Sequence, residues 1–148
     1  MYLKISSPEK QIYAGDIEKV TIPTEGGELT ILPGHMPLST VVKAGLVLIY
    51  PAQLPADTGY VIAQGVIHVA VSRGLLFVDG EQIIMTTSAA TTSPKESTEV
   101  LTKMQQDMTL QLEKIKVEGS KEDFEKALVN LEKITADLRL AKLSHIKD

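Results

Sequence analysis

The sequence predicts a β plus α protein, in which an antiparallel β-sandwich, or flattened barrel, is followed by an antiparallel hairpin of two helices. Short apolar or alternating runs rich in Val, Ile and Thr fill residues 1–89, and turn-forming residues separate them at regular intervals. From residue 94 onward, apolar residues recur every three or four positions instead. We therefore predict a sandwich domain at 1–89, a linker at 90–93 and a helical hairpin domain at 94–148.

The predicted strands lie between clusters of Gly, Pro, Asp and Ser, residues that supply the φ values of turns. The runs are YLKIS, IEKVTI, ELTIL, LSTVV, LVLIY, VIHVAV, LLFV and QIIMTT. Several runs, such as those at residues 46–50 and 66–71, are apolar on both faces, so their outward side should also be covered, either by the second half of the chain or by a partner. The proline-bearing stretch 50–59 predicts a long loop between strands.

The second half has the signals of two helices. Ser93, followed by Pro94 and by Glu96, predicts the N-cap of the first helix. Gly119 predicts its end, and Ser120 with Asp123 predicts the cap of a second helix that runs to about residue 145. The apolar stripe of the first helix comprises Val100, Leu101, Met104, Met108, Leu112 and Ile115. So short a joint folds the helices back on each other, although a partner protein could also cover the stripe.

Composition excludes several classes of function. The chain has 148 residues, a net charge of −4 and only 4% aromatic residues, which argues against a basic groove or a stacking platform for nucleic acid. It has no cysteine, which excludes disulfides, thiolate metal sites and cysteine nucleophiles. No stretch reaches the roughly 18 consecutive apolar residues that predict a membrane span, so we expect any membrane association to be indirect.

Motifs of catalysis and metal binding are nearly absent from the sequence. It has no phosphate-binding loop, G-x-G-x-x-G, H-E-x-x-H or G-x-S-x-G. His35, His68 and His145 lie in different predicted elements without an i, i+4 partner, so no metal site is predicted. His68, in mid-strand, is expected to be a hydrogen-bonded structural residue. An enzyme would need carboxylates from distant strands to meet in the fold; this and a small-ligand binding module stay as alternatives.

The stretch GGELTILPGHMPL is the most distinctive in the chain. Gly26-Gly27 bends the chain, a short strand follows, and Pro33-Gly34 makes a turn that presents His35 outward before the constrained Met36-Pro37. A rigid tip carrying Glu28 and His35 beside small residues suits protein contact. The alternative is that these residues serve only the geometry of the turn.

This stretch resembles the E-G-E-L-x-I-L-P-G-H-x-P-L segment of the epsilon subunit of F-type rotary ATP synthases. Similarity extends along nearly the whole chain: ISSPEKQIYAGDIEKVTIP is similar to the family's first two strands, VVKAGLVLI to its K-P-G-x-x-x-I strand, AVSRGLLFVDGEQIIMTTSA to its S-G-G-x-x-x-V and V-T-V-L-A-D-T-A strands, and ITADLRLAKL to the end of its second helix. Ala44 in place of proline, Arg73 within S-G-G and residues 86–89 in place of A-D-T-A identify the chain as a divergent member.

The resemblance implies a non-catalytic rotor subunit of the central stalk, which binds the gamma subunit and the c ring and couples proton translocation to ATP synthesis. By motif position it assigns Glu28, His35, Met36 and Leu38 to the gamma and c-ring contacts. It also implies contact with the catalytic alpha and beta subunits. The expected location is peripheral, on the cytoplasmic side of the bacterial inner membrane or, for a plastid-encoded chain, on the stromal side of the thylakoid.

The family's hairpin is either folded against the sandwich or extended along gamma, where it obstructs ATP hydrolysis, and segment 86–93 would supply the hinge. The charge pattern of the hairpin gives a set of basic residues that could meet an acidic partner surface and so make the inhibitory contacts: Lys114, Lys116, Lys121, Lys126, Lys133 and Arg139. Alternatively, these residues only solvate the hairpin surface. The ATP-binding motif I/L-D-x-x-R-A of some members is degenerate here at Lys95, Glu96 and Glu99, where a glutamate would repel phosphate, so no cofactor is predicted. A free-standing adaptor of the same fold stays as an alternative.

Overall fold

The computed structural model describes residues 1–55, 59–94 and 96–146, with residues 145 and 146 described by their backbone alone. The predicted β plus α class is confirmed, because ten strands form one folded sheet and two helices follow it. The predicted long loop lies between the fifth and sixth strands, and its residues 56–58 lie outside the described residues. In chain order the elements are β1 (Tyr2–Ser6), β2 (Gln11–Thr24), β3 (Gly27–Ile31), β4 (Leu38–Val42), β5 (Gly45–Pro51), β6 (Val61–Ala63), β7 (Val66–Val71), β8 (Gly74–Val78), β9 (Gln82–Thr87), β10 (Ala90–Thr91), α1 (Thr98–Glu118) and α2 (Lys121–Ile146).

The sheet closes on itself through β2, whose 14 residues are enough to serve both layers. The first half of β2 pairs with β1, and the second half pairs with β3, β4 and β5. Because the strand order is β1-β9-β8-β4-β2-β5-β7-β10 and β1 also pairs with β2, five strands form a closed ring, which leaves fewer unpaired strand edges. Among the described strands the pairing is antiparallel, as predicted, except between β1 and β9, which run parallel.

The sandwich core lies between the layers and is filled by alternate residues of each strand. In β1, Leu3 and Ile5 are fully buried whereas Tyr2 and Lys4 face outward, as the period of two in a strand requires. Burial of one such side chain contributes about 1.5–3 kcal/mol. A slip of one residue would expose this whole set, so the alternation fixes the register. The largest fully buried side chains of the core are Leu3, Ile5, Ile22, Ile31, Ile49, Ile67, Leu76, Ile83 and Met85.

Helix α2 covers the outward face of β5 and β7. Leu46 of β5 and Ala70 of β7 form a cluster of their own with Ala136 and Leu140 of α2, while the alternate residues of both strands point into the sandwich core. The prediction that these doubly apolar strands are covered on their outward side is confirmed. The cover is the second half of the chain.

Two polar contacts accompany this packing. Lys133 of α2 donates to the Thr91 hydroxyl at 2.9 Å and to Asp137 Oδ1 at 2.7 Å. At the adjacent helix position, Glu132 Oε2 lies 3.5 Å from Nε of Arg73, a residue of the loop between β7 and β8. Both contacts link the hairpin to the sandwich, and neither can persist if α2 leaves it.

The two helices pack as the predicted antiparallel hairpin. Gln105 Nε2 donates to Thr135 Oγ1 at 3.1 Å, and Leu101 is buried against α2 residues Leu138 and Ala141. The joint between the helices is also as predicted. The Gly119 N–H donates to Ile115 O at 2.7 Å, and Ser120 Oγ accepts from the Asp123 N–H at 3.1 Å.

The predicted start of the first helix is wrong. Its N-cap is Ser97 and not Ser93, because Ser97 Oγ accepts from the Val100 N–H at 3.2 Å; Lys95, part of the predicted cap, lies outside the described residues. Val100 and Met104, assigned by their spacing to the buried stripe, are 44% and 40% exposed. The face of α1 that α2 covers is therefore narrower than predicted, and Leu101 is its buried member.

The segment predicted to serve as linker and hinge is partly built into the sheet. Ala90–Thr91 form β10 and pair with β7 opposite Val71 and Ala70. Just before it, Thr87 Oγ1 donates to Ser72 O at 3.1 Å. The prediction that the whole of 86–93 is a hinge is therefore wrong. Any rotation of the hairpin that preserves the sheet must occur after Thr91.

Candidate functional site

The turn at residues 32–37, here called the His35 turn, joins β3 to β4. The His35 N–H donates to Leu32 O at 3.1 Å, and Gly34 has a φ of +84°. Proline in the second position and a glycine of positive φ in the third are the features of a type II turn. Pro33 fixes the entry to the turn and Gly34 permits its exit, so the position of His35 is set by the backbone.

The side chains of the His35 turn differ in their exposure to solvent and in their contacts. His35 is half-buried, and its Nδ1 lies 2.8 Å from Met36 O. Because a carbonyl can only accept, Nδ1 is the donor of this hydrogen bond. Met36 is 78% exposed, which makes it a large apolar side chain held out in water. Leu38, the fourth predicted contact residue, is half-buried and packs against the sandwich core, so part of its role is structural.

The sequence led us to expect Glu28 and His35 on one tip, but the structure places them apart. Glu28 is exposed at the start of β3, beside the tight turn that joins β2 to β3. His35 follows the end of β3 at Ile31. At about 3.3 Å per residue, the strand alone separates the two ends by roughly 10 Å. The two residues therefore belong to different surface regions at opposite ends of β3.

A second surface was not predicted from the sequence. Val41 of β4 lies opposite Leu75 of β8, and Phe77 of β8 lies opposite Ile84 of β9. These four side chains, which we call the outer apolar face, point away from the core and are 39–48% exposed. Directly opposed residues have Cβ atoms about 5 Å apart, so the four form one patch. Contiguous exposed apolar surface of this kind is a candidate site of protein contact.

The outer apolar face and the His35 turn adjoin each other. Ser39, three residues after Met36, lies opposite Phe77 in the β4–β8 ladder. Met36 therefore lies just before the start of β4, at the end of the ladder that carries Phe77. The missed signal was in the run LLFV of β8, which is apolar at successive positions like β5 and β7 and so predicts a second covered face.

The basic residues assigned to the hairpin surface are not equivalent. Those at 114, 116, 121, 126 and 139 are exposed. Lys133 instead donates hydrogen bonds to Thr91 and Asp137, so it helps to hold α2 on the sandwich while the hairpin is docked. Of the degenerate nucleotide motif, Glu96 and Glu99 are exposed, with Glu99 in the first turn of α1; Lys95 lies outside the described residues.

Within the described ranges, no three His, Asp or Glu side chains lie close enough to hold a metal ion, and no helix is long and apolar enough to cross a membrane. His68 is buried, with Nδ1 3.1 Å from Val66 O, which confirms the prediction of a hydrogen-bonded strand histidine. Burial lowers the pKa of His68 below its ordinary value of 6.5, partly opposed by the hydrogen bond to Val66.

Comparison with known proteins identifies the sandwich. Residues 1–93 match the family model described as the ATP synthase delta/epsilon chain β-sandwich domain. The chain belongs to the ATP synthase delta/epsilon family. The resemblance carried by the turn motif is thereby confirmed, and the matched residues include both the His35 turn and the outer apolar face.

Curated relatives of this delta/epsilon family chain are similar to part of it. The ATP synthase epsilon chain of Herminiimonas arsenicoxydans is 41% identical over 69 residues, which cover 47% of this chain and 49% of that protein. The ATP synthase epsilon chain of Aquifex aeolicus is 34% identical over 77 residues, covering 52% and 56%. This chain therefore spans about half the length of the curated relatives it matches.

A solved structure has the same fold over more of the delta/epsilon family chain. A chain of the Euglena gracilis mitochondrial ATP synthase, determined with OSCP, F1 and c ring, superposes with a TM-score of 0.68. The superposition covers 90% of this chain and 76% of that chain, at 15% sequence identity. At this identity the comparison shows a shared fold, and the hairpin falls partly within the covered share.

Proposed function

We propose that this chain is the epsilon subunit of an F-type ATP synthase, a non-catalytic part of the central stalk that couples proton translocation through the c ring to ATP synthesis. The observation that carries the proposal is the match of residues 1–93 to the sandwich of ATP synthase delta/epsilon chains. Relatives named ATP synthase epsilon chain support it. The catalytic alpha and beta subunits, in this proposal, supply the chemistry.

The gamma subunit is proposed to bind the outer apolar face and the adjoining Met36. Val41, Leu75, Phe77 and Ile84 are each 39–48% exposed, and covering them would remove apolar area from water at about 25 cal/mol per Å². The face lies on strands of the closed ring, so it needs no rearrangement to accept a partner. A rigid apolar centre with a polar surround is the usual anatomy of a stable interface.

The c ring is proposed to contact the β2–β3 turn through Glu28. An exposed carboxylate on a tight hairpin suits a polar rim contact, in which charge steers the approach more than it holds the complex. His35, at the other end of β3, is assigned to the gamma side. In this arrangement β3 spans the two contacts, and membrane association is indirect, on the cytoplasmic or stromal side of the membrane.

The hairpin is proposed to act as a brake on ATP hydrolysis. In its docked state α2 covers β5 and β7 through Ala136 and Leu140. Its exposed basic residues would meet acidic surfaces of the catalytic subunits only after α2 is released. On release Lys133 loses its hydrogen bond to Thr91, which lies in the sandwich, and keeps its ion pair with Asp137 of the same helix. Such a brake requires two arrangements of similar free energy.

An affinity pull-down of the tagged full chain from solubilised source membranes tests the stalk assignment, with co-purifying subunits identified by mass spectrometry. We expect gamma, alpha, beta and the c subunit to be recovered together. Recovery of the chain alone, or with unrelated soluble proteins, would contradict the assignment and favour a free-standing adaptor.

The double variant Glu28→Ala and His35→Ala is expected to uncouple the assembled enzyme. ATP-driven proton pumping should fall roughly fivefold or more relative to hydrolysis. Fivefold is about the smallest change that typical coupling free energies produce. Both residues are on the surface, so the sandwich should stay folded. Pumping and hydrolysis are measured on the same membranes. Glu81→Ala, an exposed carboxylate in the β8–β9 turn, is the control, and full coupling in the double variant would refute the assignment.

Removal of residues 93–148 is expected to raise ATP hydrolysis of the assembled enzyme by about fivefold or more. The physical reason is that the truncated chain cannot place its basic helices against the catalytic subunits. Truncation also uncovers Leu46 and Ala70, so assembly must be checked by gel filtration of the complex. A hydrolysis rate equal to that of the full-length enzyme would show that the hairpin is no brake here.

A further inference from the structure

His68 lies on the face of β7 that α2 covers. Within β7, Ile67, Val69 and Val71 point into the sandwich core, whereas Ala70 belongs to the cluster formed with α2. Because successive strand residues point to opposite faces, His68 shares the face of Ala70. It is 8% exposed, and β7 is flanked there by Leu48 of β5 and Val61 of β6.

Helix α2 runs antiparallel to β7 across this face. Glu132 reaches Arg73, just after the end of β7, and Ala136 packs in the cluster of Ala70. Leu140 is fully buried and belongs to the same cluster as Val61 and Leu48. Val61 and Leu48 lie opposite His68 on the two neighbouring strands, so the turn around Leu140 lies over His68.

Among the described residues, the surroundings of His68 offer no compensation for a positive charge. Its Nδ1 is already used by Val66 O at 3.1 Å, so a second proton would go to Nε2. The flanking strands contribute no acidic residue: β6 is Val61–Ala63, and Tyr50 is the titratable residue of β5. Burial lowers the pKa of His68 below 6.5, and no charged neighbour contributes to that shift.

The charged residues of α2 around Leu140 also do not compensate. Arg139 and Lys142 are exposed and carry the same sign as a protonated imidazole. Asp137 is bound to Lys133 at 2.7 Å. The side chain of His145, one turn further on, lies outside the described residues. Apolar Leu140 and Leu143 are the members of this turn that pack in the cluster.

We propose that His68 is a proton-controlled latch of the hairpin: α2 docks on the sandwich over neutral His68 and is released when His68 is protonated. Release returns the imidazole to water, where protonation costs little. The docked state thus holds His68 with a pKa below that of the released state. The contribution of neutral His68 to docking is then fully present above about pH 6.5 and is lost as pH falls below it, by up to tenfold per pH unit for one proton.

The latch rests on the proposed function only in requiring that α2 can leave the sandwich, and it is tested on the isolated full chain. The chain has no cysteine, so Glu81→Cys and Glu118→Cys accept one pair of dyes at exposed positions on the sandwich and near the hairpin joint. Single-molecule energy transfer then gives the ratio of docked to released chains between pH 8 and 5.5. Measurements are repeated in an Arg73→Ala background, which loses the contact with Glu132 and raises the released population.

We expect the ratio of docked to released chains to fall several-fold to tenfold per pH unit below pH 6.5. The fall should be absent in His68→Leu, which keeps an apolar side chain under α2, and in His68→Gln. His145→Gln and His35→Gln are matched controls that should retain it. An equal fall in the His68 variants, or a flat ratio in the parent chain with both populations visible, would overturn the latch. Absence of released chains even with Arg73→Ala would overturn both the latch and the proposed brake, while leaving the pull-down result untouched.

Discussion

Phe77→Asp is expected to weaken binding to gamma at least about 100-fold. Phe77 lies near the middle of the outer apolar face, opposite Ile84 on one side and Ser39 on the other. A partner that covers this face would bury the new carboxylate without a counter-charge, and an unpaired buried charge costs several kcal/mol. Since each 1.4 kcal/mol is tenfold in affinity, the loss should exceed the effect of simply truncating the side chain. Titration of purified gamma with the labelled chain measures it.

The fold itself should tolerate this substitution. Phe77 is 47% exposed and points away from the core, so the free energy of unfolding in urea should change by less than about 1 kcal/mol. Leu110→Asp on α1, where the leucine is 61% exposed, is the matched control for adding a charge elsewhere. If Phe77→Asp binds gamma as the parent chain does, gamma must contact a different surface of the sandwich.

Patterns that repeat along a strand or helix were sufficient to predict much of the fold. The doubly apolar runs of β5 and β7 required a cover, and α2 provides it through Ala136 and Leu140. Gly119 and Ser120 fixed the joint of the hairpin because cap chemistry is local. In each case the deciding residues are either close together in the sequence or repeat with the burial period of a single strand or helix.

Features that depend on the pairing of distant strands were not predicted. The outer apolar face joins residues of β4, β8 and β9 that lie more than 40 positions apart at the extremes, and only the register brings Val41 beside Leu75. The prediction that Glu28 and His35 share one tip was wrong for the opposite reason. Seven positions along the sequence look close, but an intervening extended strand separates them by its full length.

The start of α1 shows tertiary structure overriding a local signal. Ser93, Pro94 and Glu96 have the chemistry of a helix cap, but Ala90–Thr91 first pair with β7. The chain must then cross from the sheet edge to the hairpin, and the described residues of this crossing, 92–94, 96 and 97, lie outside helix and strand. Ser97 is the next residue with a suitable side chain, and it caps the helix instead.

Gly74→Ala is expected to destabilise the sandwich by at least about 4 kcal/mol, a loss seen only when a specific structural requirement is broken. A Cβ at this position would overlap the backbone of the neighbouring strand, namely the Thr86 carbonyl oxygen, with its carbon at 2.8 Å and the Thr87 Cα at 2.9 Å. Backbone cannot rotate away as the end of a side chain does. The β8–β9 ladder would have to separate at Gly74–Thr87, next to the strand positions that carry the outer apolar face.

Urea unfolding of the full chain measures this loss, and two other glycines calibrate it. At Gly26 the nearest atom to an added Cβ is Thr24 Oγ1 at 3.9 Å, so alanine there should cost less than about 1 kcal/mol. At Gly45 the added Cβ meets only side-chain atoms of Pro23 at 3.2 and 3.3 Å, and an intermediate cost of about 1–2 kcal/mol is expected. A Gly74→Ala chain as stable as Gly26→Ala would mean that β8 and β9 can move apart freely. The outer apolar face would then be a surface whose shape its partner sets, and Phe77→Asp should weaken gamma binding much less than a preformed face requires.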